Sequence, residues 1–105
     1  MKRYFKTEGN IIYPNLQMLT WGPFYYHSQE KATRKMDEVL ENIVDWCNGQ
    51  RPGLDIKPQG LIRTHDNSQI VFKITAAWDT KKRLQKCNGI ISVEDIFFED
   101  ENNDN

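Results

Sequence analysis

Apolar residues recur mostly three or four positions apart through the segment Ser28 to Cys47, and this periodicity constrains the fold more than any other feature of the chain. Such spacing places apolar side chains on one face of an α-helix. Ser28 suits the N-cap position, and Glu30 lies near the positive end of the helix dipole. Asn48–Gly49 supplies a left-handed stop. The segment therefore predicts an amphipathic helix, with an apolar face formed by Ala32, Met36, Val39, Leu40, Ile43, Val44, Trp46 and Cys47.

A second, shorter helix is predicted over Thr80 to Cys87, capped by Asp79 and ended by Asn88–Gly89. Leu84 and Cys87 would face inward. The basic residues of this helix would lie mostly outside, and they are Lys81, Lys82, Arg83 and Lys86. Because two helical turns are marginal alone, this helix would need to pack on a sheet.

Strands are predicted between and around the helices. The best of them, Gln69 to Trp78, alternates its side chains between two faces, and the turn residues His65–Ser68 make it the second strand of a hairpin. Residues 1–13 offer a further edge strand through Tyr4–Phe5 or Ile11–Tyr13. The four main predicted strands are Asn15–Trp21, Gly60–Thr64, Gln69–Trp78 and Ile90–Phe98.

The predicted order βαββαβ corresponds to an α+β, ferredoxin-like fold: a four-stranded antiparallel sheet with two helices on one face. The tetrapeptides WCNG and KCNG, forty residues apart at the two predicted helix ends, suggest two pseudo-repeated halves. The two helices would run roughly antiparallel. Cys47 and Cys87 are therefore expected at opposite ends of the helical layer, too far apart for a disulfide.

One domain is expected over residues 1–98 of the 105, followed by an acidic flexible tail over residues 99–105. Residues 94–105 hold six of the fifteen acids and no Lys or Arg, which leaves nine acids against fourteen bases in the body. The body is therefore about +5 and the end −6. The end could be a solubilising tail, an element that docks on a basic partner, or a shield for the body's own basic face.

The sequence carries no motif for catalysis or for metal or cofactor binding. His27, Cys47, His65 and Cys87 match no zinc spacing, and GxSxG, P-loop and GxGxxG patterns are absent. Each cysteine falls on a predicted apolar helical face, where it is most simply a small buried hydrophobe. We therefore predict a non-enzymatic protein without metal or cofactor. With no apolar run near the roughly 18 residues of a membrane span and no signal peptide, the expected location is the cytoplasm.

The predicted function is binding of a protein partner, or self-association as a homodimer, through the open sheet face. Leu19, Trp21 and Val71 would make that face too apolar to be left in water. In the stretch TWGPFYYH (residues 20–27), Gly22–Pro23 is read as the turn between strand and helix, and Trp and Tyr are frequent in binding hot spots. The predicted partner-binding residues are Trp21, Tyr25, Tyr26, Lys73 and Thr75.

The sequence also suits other functions. Small size, the lack of catalytic motifs, an AT-rich compositional bias and the charged end suit a phage- or mobile-element-encoded modulator or inhibitor of a host protein. An RNA- or DNA-binding regulator would use the same sheet, although QIVFKITAAW lacks the aromatic RNA-recognition pattern. The candidate phosphate contacts for that role are Lys81, Lys82, Arg83 and Lys86.

Two further interpretations concern the ends of the chain. The stretch CNGIISVEDI (residues 87–96) resembles the junction between second helix and last strand of small ligand-sensing regulatory domains, which implies a ligand-sensing role. Alternatively, residues 1–13 could fold across the open face and complete an ordinary core.

Overall fold

The computed structural model of the chain describes residues 2–77 and 83–98. These residues form one α-helix and a five-stranded antiparallel sheet with the strand order β2-β1-β5-β4-β3. The elements are β1 (Lys2–Ile12), β2 (Met18–Tyr26), α1 (Gln29–Gln50), β3 (Gln59–Arg63), β4 (Gln69–Ala77) and β5 (Leu84–Phe98).

The ferredoxin-like prediction with two helices is wrong, because the described part of the second predicted helix is a strand. Leu84 to Cys87 begins β5, while Asp79 to Lys82 lie outside the described residues. Cys87, Gly89 and Ile91 are buried in alternation, which is the period of a strand and not of a helix. Pairing of β5 with both β4 and β1 satisfies the backbone hydrogen bonds that a helix would have made internally.

The N-terminal segment forms an interior strand of the sheet. β1 pairs with β5 along its whole length, from Lys2 opposite Phe98 to Ile12 opposite Asn88, and with β2 on its other side. Its odd-numbered residues from Phe5 to Ile11 are buried against α1. The segment therefore extends the sheet to five strands and does not cross the open face.

β2 runs through Gly22–Pro23, where the sequence predicts a turn. The strand pairs Thr7 with Phe24 and Gly9 with Trp21, so three steps on β2 face two steps on β1. This one-residue bulge accommodates a proline because β2 is an edge strand, where a missing N–H can face solvent. The Gly22–Pro23 peptide bond is cis.

The predicted long helix is confirmed. The Lys31 backbone N–H donates to Ser28 Oγ at 3.3 Å, so Ser28 is the N-cap. The helix continues past the predicted stop to Gln50, since neither Asn48 nor Gly49 has a positive φ. The Asn48 Nδ2 donates to the carbonyls of Val44 and Ile56, and its Oδ1 accepts the Ile56 N–H at 2.7 Å. These bonds tie the loop after α1 to the last helical turn.

The core lies between α1 and one face of the sheet. Thr7 Oγ1, fully buried, donates to the Ala32 carbonyl at 2.7 Å and anchors the first helical turns over β1. The start of β1 and the end of β5 therefore extend past the N-terminal end of α1. The molecule is 58 Å long. The helical side chains in the core are Ala32, Met36, Val39, Ile43 and Cys47, and they pack on Ile11, Ile70, Phe72, Ile74 and Ile91.

Candidate functional site

The sheet surface opposite α1, which we call the open face, is the candidate site. Side chains alternate along each strand, so the residues between the buried ones point to this face. Within the described residues α1 is the one helix, and it packs against the other face of β1, β2, β4 and β5. The open face is therefore without a helical layer in the part of the chain that the structure describes.

An apolar strip crosses the middle of the open face. The register places Ile90 beside Val71 and Val71 beside Ile62, while Ile12 and Met18 pair one row away. Ile62 and Met18 are 61% and 56% exposed. A groove of about 380 Å³ between β1 and β3 is lined in part by Ile12, Val71 and Ile90. We use "apolar strip" for these five residues: Ile12, Met18, Ile62, Val71 and Ile90.

Charged side chains lie on both sides of the apolar strip. Toward the end of β5, Lys6 Nζ lies 3.6 Å from Glu94 Oε2, and Glu8 follows on β1. Toward the start of β5 lie the exposed lysines Lys73 and Lys86. On the first side Lys2, opposite Phe98, and Lys6 balance Glu8 and Glu94, whereas the second side carries a net charge of about +2.

The acidic end of the chain begins inside the sheet. Asp95 accepts two hydrogen bonds from the Arg3 guanidinium, at 3.0 Å from Nε and 2.7 Å from Nη2. This pair lies on the helix side, since Asp95 pairs with Phe5. Residues 99–105, the predicted flexible tail, lie outside the described residues.

An aromatic end occupies the part of the open face that extends beyond α1. Tyr4 is its centre, with ring centroids 4.8 Å from His27, 5.5 Å from Phe98 and 6.4 Å from Tyr25. Phe98 and Tyr25 meet Tyr4 edge-on, and these two rings are 46% and 50% exposed. We use "aromatic end" for Tyr4, Tyr25, His27 and Phe98.

The bulge in β2 divides the predicted partner-binding residues between the two faces. Trp21, expected on the open face, lies on the helix side, where its ring meets Trp46 edge-on at 5.7 Å. Tyr26 pairs with Phe5 and shares that side. Tyr25, Lys73 and Thr75 are on the open face. The open face therefore brings together three of the five predicted residues.

The candidate phosphate contacts do not form a described cluster. Lys81 and Lys82 lie outside the described residues, and Arg83 immediately precedes β5. Lys86 lies on the open face opposite Thr75, instead of on the outer face of a helix. Its place follows from the strand that replaces the predicted helix.

Several open-face residues were missed by sequence reasoning. Tyr4 and Ile12 belong to a strand whose alternation over residues 2–12 is visible in the sequence, but Gly9 interrupts its apolar half. Ile62 lies on a five-residue strand that is exposed throughout and has little pattern of its own. The sequence predicts Phe98 and Ile90 in the last strand but does not predict which side of the sheet they face.

Cys47 and Cys87 lie in the same part of the core, contrary to the expectation of opposite ends. Burial, with a smaller contribution from the neighbouring Cys87, raises the pKa of the Cys47 thiol to about 12. Burial also raises the pKa of Cys87 to about 11. Both thiols are free and stay protonated, so neither is an activated nucleophile.

Both cysteines are expected to resist thiol reagents at pH 8 in the native protein. Because the thiolate is the reacting species and both side chains are buried, labelling by iodoacetamide should be slower than in denaturant by about a hundredfold or more. Peptide mass spectrometry over time would measure it. A Glu41→Cys variant, exposed on α1, provides the matched fast-reacting control. Native labelling of Cys47 at the rate of that control would contradict the burial.

The chain matches no protein-family model, no curated protein sequence and no solved structure. Within residues 2–77 and 83–98, no three His, Cys, Asp or Glu side chains gather in a way that could hold a metal ion. The described helix is not apolar enough over a sufficient length to cross a membrane.

Proposed function

We propose that the protein is a small non-enzymatic interaction module that binds a polypeptide through its open face. The observation that carries this proposal is the apolar strip, where Ile62 and Met18 remain more than half exposed beside Ile12, Val71 and Ile90. Contiguous apolar surface of this kind is unfavourable in water and is typical of interaction sites. The proposed location is the cytoplasm, where two free thiols are stable.

The surroundings of the strip support a protein partner more than a nucleic acid. Single-stranded RNA is stacked on open ring faces, whereas the aromatic end has two rings packed edge-on against Tyr4. Lys6 is paired with Glu94, and Glu8 adds a further negative charge. The open face thus carries both signs of charge around an apolar centre, an arrangement that is typical of protein interfaces.

Site-specific photo-crosslinking tests the proposal. A p-benzoylphenylalanine residue placed at Ile62 or Lys73, both exposed on the open face, should form adducts with a polypeptide in native cells. The same group at Glu41, exposed on α1, is the matched control and should form none of these adducts. Mass spectrometry of the adducts identifies the bound chain.

Three outcomes contradict the proposal. Identical adducts from the open-face and Glu41 positions would show that contact is non-specific. Adducts that disappear after nuclease treatment would assign the face to nucleic acid. Absence of any polypeptide adduct from both Ile62 and Lys73 would also reject the open face as a binding site.

A further inference from the structure

We propose that the polypeptide bound by the open face is a second copy of this chain, stacked face to face about a twofold axis that crosses β5 at Ile90. This inference rests on the proposed use of the open face for protein binding. Two sheets that pack face to face lie about 10 Å apart with their strands nearly aligned. A dimer of this kind requires the open face to be complementary to itself.

The residues of β5 are complementary about Ile90. In the stacked dimer, β5 of one copy lies antiparallel over β5 of the other. A residue that follows Ile90 by a given number of positions therefore faces the residue that precedes Ile90 by the same number in the second copy. Four steps away, Glu94 meets Lys86 of the second copy, and both are exposed on the open face. Since the axis is twofold, this opposite-charge pair occurs twice in the dimer.

The other pairs along β5 also match in character. Two steps from the axis, Ser92 meets Asn88 of the second copy, which places polar groups together. Six steps away, half-buried Ile96 meets Leu84 of the second copy, which is 36% exposed. The strand is therefore apolar at the axis, polar and then charged on either side, and apolar again farther out.

β4 continues the same symmetry. Val71 lies beside Ile90 in the register, so it falls on the axis and meets its own copy. Two steps away, Lys73 meets the side-chain amide of Gln69 of the second copy, and no like charges are brought together. Ile62, beside Val71 on β3, adds a further apolar contact on the axis.

The β1 side of the open face is less complementary. There Glu8 would face Ile12 of the second copy, and Lys6 would face the region beyond the end of its β1. The contact is therefore centred on β3, β4 and β5. In the aromatic end, Tyr4 and Tyr25 would face the region beyond the paired ends of β1 and β2 of the second copy, and Phe98 lies beyond its Leu84, so the aromatic end is left outside the contact.

The available surface suits a weak, reversible dimer. At about 4.8 Å between strands and 3.3 Å per residue, β3, β4 and β5 from Leu84 to Ile96 cover roughly 400 Å² on each partner. Interfaces below about 1,200 Å² in total are typical of transient complexes. The dimer is therefore expected to exchange with monomer.

Charge reversals at Glu94 and Lys86 test the arrangement. The wild-type protein should sediment as a dimer at micromolar concentration and dissociate on dilution. Glu94→Lys alone and Lys86→Glu alone each place like charges opposite one another twice, and each should weaken dimerisation by about tenfold or more. An equimolar mixture of the two variants should form a heterodimer of near wild-type affinity, because both pairs are then restored.

The mixture separates the possible outcomes. Rescue by mixing supports the twofold arrangement, and it requires both variants to be folded. Circular dichroism of each variant alone shows whether it is folded. If a charge-reversal variant does not fold, Lys86→Gln or Glu94→Gln takes its place, and each is expected to weaken the dimer less than the corresponding charge reversal. A wild-type monomer at 100 µM would overturn the self-association, as would a dimer that neither reversal weakens or mixing does not restore. In the monomer case, crosslinks from Ile62 or Lys73 to a different protein would leave the proposed function standing.

Discussion

Replacing Gly89 with alanine should destabilise the protein by about 3 kcal/mol, because the new methyl group has no room under the helix. A Cβ at Gly89 would lie 2.2 Å from Cε2 and 2.3 Å from Cζ of Phe72, far inside van der Waals contact. Phe72 cannot move away easily, since it is buried in the core cluster with Ile91 and Met36. The close approach of a ring to the β5 backbone explains the glycine in mid-strand.

Urea unfolding followed by circular dichroism measures this effect. Gly49→Ala is the matched control: nothing lies within 4 Å of its Cβ position in α1, and alanine should stabilise a helix by up to about 1 kcal/mol. Combining Gly89→Ala with Phe72→Leu should recover part of the loss, since the shorter side chain vacates the space. Equal stability of the Gly89→Ala and Gly49→Ala proteins would show that Phe72 does not pack over Gly89.

Raising the pH from 8 to 10 should lower the free energy of unfolding by about 3 kcal/mol. Burial raises the pKa of Cys47 and of Tyr13 to about 12 and that of Cys87 to about 11, and all three groups are neutral when protonated. The unfolded chain therefore releases these protons first. Their contribution to stability is complete below the unfolded pKa values near 9 and 10, and it is lost as the pH rises toward 11 and 12.

Denaturant titrations at a series of pH values measure this slope. A Cys47→Ala, Cys87→Ala double variant is the control, because only Tyr13 of the three groups remains to titrate. Its stability at pH 8 should be lower than that of the wild type, but it should fall by less than about 1 kcal/mol between pH 8 and 10. The same steep fall in both proteins would assign the alkaline sensitivity to other groups.

The helix illustrates what could be predicted from local pattern. Ser28 as the N-cap and the apolar face from Ala32 to Cys47 were both identified, because helical hydrogen bonds and side-chain neighbours lie within a few residues along the chain. The strand from Gln69 to Ala77 and the turn before it were identified for the same reason. Each of these elements carries its own periodicity or turn chemistry.

The start of β5 shows where local pattern failed. Leu84 and Cys87 are three positions apart, as on a helix, and Asn88–Gly89 resembles a helix stop. The same residues also satisfy strand alternation, and pairing with β4 and β1 decides between the two. Those partners lie many residues away along the chain, so no short window contains the information.

The amino-acid sequence by itself determined one amphipathic helix, a hairpin around residues 65–68 and a mixed α+β class. Tertiary structure alone decided the five-strand order and which side chains reach the open face. Trp21 and Tyr25 are four positions apart and would share one face of a regular strand, yet the bulge opposite Thr7 and Gly9 sends them to opposite faces. The physical reason is that a strand completes its hydrogen bonds only with a neighbour, so its register and its exposed side are set by that neighbour.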